Sequence, residues 1–181
     1  MAISVVPARN QRYGWIPDLP DHRDWLYSAV SRPPRRFPPS VDLRMDCSPI
    51  EDQGRLGSCT AQALAGAIEY LDIRSGAGYT DVSRLFIYYN ERAIMRTVSV
   101  DSGAQLRDGI KTLVRQGACA EKLWPYDASK FRVKPPPACY RDALDHQITS
   151  YRRILTVGEM RASLAEGFPI VFGFMVYESF E

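Results

Sequence analysis

The sequence predicts an α+β fold, and three observations carry that reading. Apolar residues recur at helical spacing in three separate stretches between residues 59 and 117. A β-rich apolar run, Pro169-Ile170-Val171-Phe172-Gly173-Phe174-Met175-Val176, stands near the end of the chain. Proline-dense segments at 32–39 and 135–137 interrupt both kinds of regular structure, because proline lacks an amide donor and pushes its predecessor into an extended conformation.

Taken in order, residues 1–40 read as an N-terminal extension with a proline-rich linker, and residues 41–181 as one compact domain. Trp15, Trp25 and Tyr27 give the extension apolar anchors, so it is expected to dock on its own domain. The first helix begins at Cys59 and presents Ala61, Leu64, Ala65, Ile68 and Leu71 on one face. The second covers about residues 82–95 with Leu85, Phe86, Tyr88 and Tyr89. The third follows Ser102, where Gln105 completes a capping-box spacing, and its face is Leu106, Ile110, Leu113 and Val114, with Gly117 placed to end it. Thr156 and Glu159 form a second capping box, opening a short helix that stops at Gly167. The run at 169–176 is expected to be a buried strand.

Bulk properties exclude several classes. Of the 181 residues 45% are hydrophobic, enough for a globular core. The 23 basic and 21 acidic residues leave a net charge of +2, spread along the chain, which argues against nucleic-acid or membrane partners. No window is long and apolar enough to span a bilayer, and residues 1–10 lack the apolar core of a signal peptide, so a cytoplasmic location is favoured. The four cysteines, Cys47, Cys59, Cys119 and Cys139, lack the paired spacing of a zinc site, and no cofactor or metal is implied. Cys119 and Cys139 are read either as a disulfide or as two free thiols.

The stretch Asp52-Gln53-Gly54-Arg55-Leu56-Gly57-Ser58-Cys59-Thr60-Ala61 carries the chemistry. A cysteine at a helix start meets unpaired amides and the positive end of the helix dipole, which favour a thiolate. Gly54 and Gly57 allow a tight turn and close approach of a ligand. Gln53, six residues upstream, can return its amide to the same place and, with the Cys59 amide, bind an oxyanion.

Gln-Gly-x-x-Gly-Ser-Cys at a helix start resembles the papain family of cysteine peptidases, and further segments are similar in the same order. Val41-Asp42-Leu43-Arg44 looks like the start of the mature domain, Ser102-Gly103-Ala104 like the glycine-containing edge of the substrate cleft, Trp124-Pro125-Tyr126 like the Tyr-Pro-Tyr turn, and Pro169-Ile170-Val171 like the opening of the second lobe. The extension resembles that of bacterial members. Two positions depart from the pattern: Leu56 replaces a disulfide cysteine and Thr60 an aromatic residue.

The resemblance implies a two-lobe fold, of which this chain holds the helical lobe and only the start of the β-rich lobe. It implies cleavage of a protein or peptide substrate, with Cys59 as nucleophile, Gln53 in the oxyanion hole, and Gly57, Ser58, Ser102 and Gly103 lining the cleft. The extension is expected either to lie over the cleft or to pack elsewhere. The family places its histidine roughly 130–150 residues after the cysteine, beyond Glu181, while His22 and His146 do not fit. The 181-residue polypeptide is therefore expected to be inactive alone. A catalytically dead binding or scaffold module, and a related hydrolase or acyltransferase acting on a non-protein amide, stay open as alternatives.

Overall fold

The fold is built round three helices, α1 (Cys59–Ser75), α2 (Arg84–Met95) and α3 (Leu106–Arg115), which pack against one another. The computed structural model describes residues 13–31, 34 and 36–177, so the signal-peptide reading of residues 1–10 and Arg32, Pro33 and Arg35 of the expected linker lie outside the described residues. Two shorter helices, α4 (Pro137–Asp142) and α5 (Val157–Ala165), complete the regular structure together with five 3₁₀ turns among the described residues.

The helical spacing read from the sequence maps onto one core. Ala61, Leu64, Ala65 and Ile68 of α1 meet Leu85, Ile87 and Tyr88 of α2 and Leu106 and Leu113 of α3. Val114, expected on the buried face of α3, is largely exposed, and Gly109 takes the close position against Leu64 instead. Leu56, in place of a half-cystine, is itself a core residue. Cys119 and Cys139 are free thiols, buried beside Phe86 and Ala143, and burial pushes both thiols up.

The helix starts show which local signals held. Thr156 and Glu159 form both halves of a capping box at α5. α2 is capped by Ser83, whose hydroxyl accepts from the Phe86 amide at 3.1 Å. The box expected from Ser102 and Gln105 does not form. Gln105 is the residue before α3 and caps nothing with its side chain, while the Ser102 hydroxyl turns to Thr97 Oγ1 at 2.8 Å.

The expected strand is a second correction. Residues 169–177 form no ladder among the described residues, and Phe172, Phe174, Met175 and Tyr177 are exposed. A strand needs a neighbour for its amides, and none of the described residues supplies one. Among the described residues, strand-type pairing is limited to three isolated bridges, Trp15 with Ala104, Leu26 with Arg153, and Val82 with Ala120.

Among the described residues, two charged side chains lie wholly inside. Arg92 is fully buried on α2, donating to the carbonyls of Tyr88 (3.1 Å), Val98 (3.1 Å), Val100 (3.0 Å) and Phe131. Its guanidinium also lies 4.0 Å from the centre of the Tyr88 ring. Glu91 is fully buried where α1, α2 and α3 meet, and burial pushes its carboxyl up to about 8.

Removing Arg92 takes the guanidinium donors away from the carbonyls of Val98, Val100 and Phe131. Arg92→Met is expected to cost about 3–5 kcal/mol in urea unfolding, and a loss below about 1 kcal/mol would contradict the role. Glu91 supplies a pH dependence whose sign is fixed. Its folded value lies above the ordinary carboxyl value of about 4.3, so the folded state holds a proton that the unfolded state releases. Its stabilising contribution is complete below about pH 4 and is lost as pH rises towards about 8. The melting temperature should fall by about 5 °C or more across that window, and Glu91→Gln should flatten the fall, leaving the smaller slope of Glu69, Asp81 and Glu121, which shift the same way.

Candidate active site

Cys59 opens α1 at the bottom of a cleft with two backbone walls. One wall is the turn at 53–58, the other the segment 102–104. The first is tightened by Gln53, whose amide donates to the Leu56 carbonyl at 3.0 Å, and by the Ser58 amide, which donates to the same carbonyl at 2.8 Å. The Tyr126 hydroxyl reaches over to the Gln53 carbonyl at 3.0 Å and lies 2.6 Å from Ser58 Oγ. Tyr126 is held in turn by the Arg84 guanidinium, 4.8 Å from the ring centre, and Arg84 is paired with Glu51 at 2.6 Å and Glu121 at 3.2 Å.

Asp101 and Tyr88 tie the two walls together. The Asp101 carboxylate accepts from the Gly57 amide at 3.1 and 3.2 Å and from the Tyr88 hydroxyl. The same hydroxyl accepts from the Gly103 amide at 3.1 Å. Neither residue stands out in the sequence as a site residue, because Tyr88 reads as an apolar helix residue and Asp101 as a loop acid.

The positions expected from sequence thus come together, with differences in what their side chains do. Gln53, Gly57, Ser58 and Cys59 share one turn, and Ser102 and Gly103 form the opposite edge. Ser58 is fully buried and its hydroxyl is engaged by Tyr126, so it supports the turn from behind. Ser102 serves its own loop, through Thr97 and the Gly103 carbonyl.

An extended segment already lies in this cleft, and it is the chain's own arm. The Ala104 amide donates to the Gly14 carbonyl at 2.8 Å and the Ile16 amide donates to the Ala104 carbonyl at 2.9 Å, a parallel pairing centred on Trp15. Gly14 lies against Gly57 so closely that a Cβ would sit 1.8 Å from the Gly57 carbonyl oxygen. Gly103, at φ +72°, faces the Gly14 carbonyl just as closely, so glycine is required on both sides of the crossing. The Trp15 ring packs against the core and covers Gly173.

Further along, the arm is clamped by charge. Arg107 donates to both oxygens of Asp24 at 3.0 and 2.7 Å and to the Leu19 carbonyl at 2.7 Å, and its amide reaches Asp18 at 3.1 Å. Arg153 joins Asp24 at 3.2 Å, beside a backbone pairing of Trp25 and Tyr27 with Arg153. The Asp24–Arg107 pair is largely out of water on both sides.

The electrostatics of Cys59 differ from the expectation of a thiolate-favouring helix start. Burial pushes the thiol up and nearby Glu91 adds to this, while backbone amides of Gly14, Thr60 and Cys59 pull the other way. The helix end does act in the expected sense, but desolvation outweighs it. His146 is paired with Asp72 at 3.5 Å. Asp72 lies 13 residues along α1 from Cys59, a distance of about 20 Å at helical rise, so this imidazole is not a partner for the thiol.

A cysteine at the first turn of a central helix, facing a backbone edge that pairs an extended segment, is the arrangement of a papain-like cysteine protease. The chain belongs to this family. It is 41% identical to xylellain, a cysteine protease from Xylella fastidiosa, with a TM-score of 0.76 over 91% of this chain and 67% of that one. It is 40% identical, over 197 aligned positions and 94% of its length, to an uncharacterised peptidase C1-like protein of Acanthamoeba polyphaga mimivirus, of which it spans 63%. The fold is also that of a digestive procathepsin L from Tenebrio molitor larval midgut, at 14% identity and TM-score 0.63 over 87% of this chain and 48% of that one. No protein-family model matches the chain.

The clamp and the close crossing make separable predictions. Asp24→Ala, which leaves Arg107 and Arg153 without their shared carboxylate, should raise the rate at which a thiol reagent modifies Cys59 by about tenfold. Gly14→Val should do the same by steric exclusion from Gly57. Unchanged rates in both folded variants would mean that the arm does not restrict access.

Proposed function

We propose that this chain supplies the nucleophile and one cleft wall of a cysteine peptidase that hydrolyses peptide bonds through a thioester acyl-enzyme. The observation that carries the reading is the pairing of Ala104 with the backbone of residues 14–16 directly above Cys59. An edge that binds an extended chain through alternate amide and carbonyl contacts is suited to peptides of varied sequence, since it recognises backbone.

In the reaction, the Cys59 thiolate attacks the scissile carbonyl and the carbonyl oxygen takes the negative charge. The Cys59 amide and the Gln53 side chain stabilise that oxyanion, Gln53 by turning one N–H from its own loop towards the cleft. Collapse of the intermediate breaks the C–N bond, leaving a thioester on Cys59 and an amine that needs a proton. Water then hydrolyses the thioester. Proton transfer calls for an imidazole held against the thiol, which would also offset the burial that pushes Cys59 up. Neither His22 nor His146 serves, so the 181-residue polypeptide alone is read as inactive and the complete gene product as the peptidase.

The arm, in this reading, is a built-in blocker. Gly14 places an amide beside the sulfur, and the arm occupies the edge at Ala104 that a substrate backbone would pair with.

The test is stoichiometric labelling of the complete gene product with a peptidyl epoxide, alongside peptide hydrolysis. Labelling should map to Cys59, and Cys59→Ala should abolish both label and hydrolysis. Absence of label with binding of a protein partner retained would favour the scaffold alternative.

A further inference from the structure

Thr60 stands directly behind the nucleophile, fully inside the protein, and its hydroxyl donates to Glu91 Oε1 at 2.7 Å. The other carboxyl oxygen, Oε2, is buried without a hydrogen-bond partner. It is sealed in from the α3 side, since a Cβ on Gly109 would lie 2.7 Å from it. A fully enclosed carboxyl with one unused oxygen is costly to keep, as burying a polar atom without a partner costs about 1–3 kcal/mol. No part of the peptidase chemistry described above uses it.

We propose that Glu91 is a positioning residue for Cys59: acting through Thr60, its carboxyl sets the charge beneath the first turn of α1 and so governs how readily the thiol ionises. The inference rests on the reading of Cys59 as nucleophile and deepens it. When Glu91 is neutral, the first turn of α1 presents only its amides to the sulfur, and thiolate formation meets no opposing charge. When Glu91 is ionised, a carboxylate enclosed in a low-dielectric site faces the developing thiolate, and the two anions oppose each other. The pair therefore displaces ionisation of the thiol to higher pH from inside the core.

The groups that act on Glu91 come from all three helices packed around it. Thr60 faces it from α1, next in the chain to Cys59; Arg92 adjoins it on α2 and favours its ionised form, and Asp108 on α3 disfavours that form. The Thr60 hydrogen bond also favours the ionised carboxyl. Replacing Thr60 with valine therefore keeps Glu91 neutral to higher pH, and replacing Glu91 with glutamine keeps it neutral throughout.

Alkylation of Cys59 by iodoacetamide in the 181-residue chain, followed by peptide mass analysis from about pH 6 to about pH 10, tests this, with the exposed thiol of Cys47 as internal reference. In Glu91→Gln the Cys59 rate near pH 8.5 should rise by about threefold or more relative to Cys47, with the whole profile displaced to lower pH. Thr60→Val should displace it in the same direction by a smaller amount, and it carries the test if Glu91→Gln does not fold. A purely structural carboxyl would alter stability and leave the profile in place, so superimposable Cys59 profiles in folded variants would overturn the proposal while leaving Cys59 its role. Failure of wild-type Cys59 to react at any pH, with Cys47 reacting normally, would overturn both.

Discussion

The buried guanidinium of Arg92 is the constraint on which the site depends. It gathers the carbonyls of Val98 and Val100 and stacks on Tyr88, so the loop after α2 cannot move independently of the helix. That loop carries Asp101, and Asp101 with Tyr88 joins Gly57 on one wall of the cleft to Gly103 on the other. A charge with no exposure to water is tolerated here because its donors meet carbonyls that would otherwise be unsatisfied. Width and alignment of the cleft are thus set from within α2, one layer behind Cys59.

A second consequence of burying so much of α2 is electrostatic. Arg92 and Glu91 are neighbours in sequence but serve different faces of the helix, one holding the loop of the cleft wall and the other bonded to Thr60 of α1. The site therefore combines backbone amides that favour a thiolate with desolvation that disfavours it. Desolvation prevails, with the Gly14 backbone among the amides that oppose it.

The arm shows how a sequence with little regular structure can be held firmly. Two short backbone pairings, at Ala104 and Arg153, are separated by a clamp in which Asp24 is shared between Arg107 and Arg153. Prolines at 17 and 20 keep the segment between them extended, which lowers the entropy lost on docking. Trp15 supplies the apolar anchor over Gly173.

Much of this was legible in the residues. Helical spacing identified the faces of α1 and α3, the Thr156–Glu159 box marked the start of α5, and the Gln53 to Cys59 motif located the turn that opens α1. These are local properties, set by side-chain period and by which amides a short polar residue can reach. The sequence could not show that Ser102 would abandon Gln105 for Thr97, that Val114 would be exposed, or that residues 169–177 would form no ladder among the described residues, since each depends on which neighbour a segment meets. Nor could it show that Asp101 and Tyr88 join the two walls of the cleft at Gly57 and Gly103, or that Glu91 meets Thr60. Those contacts exist only once three helices are packed together, because burial gives a lone charge or hydroxyl a single set of partners, and no spacing along the chain encodes which ones.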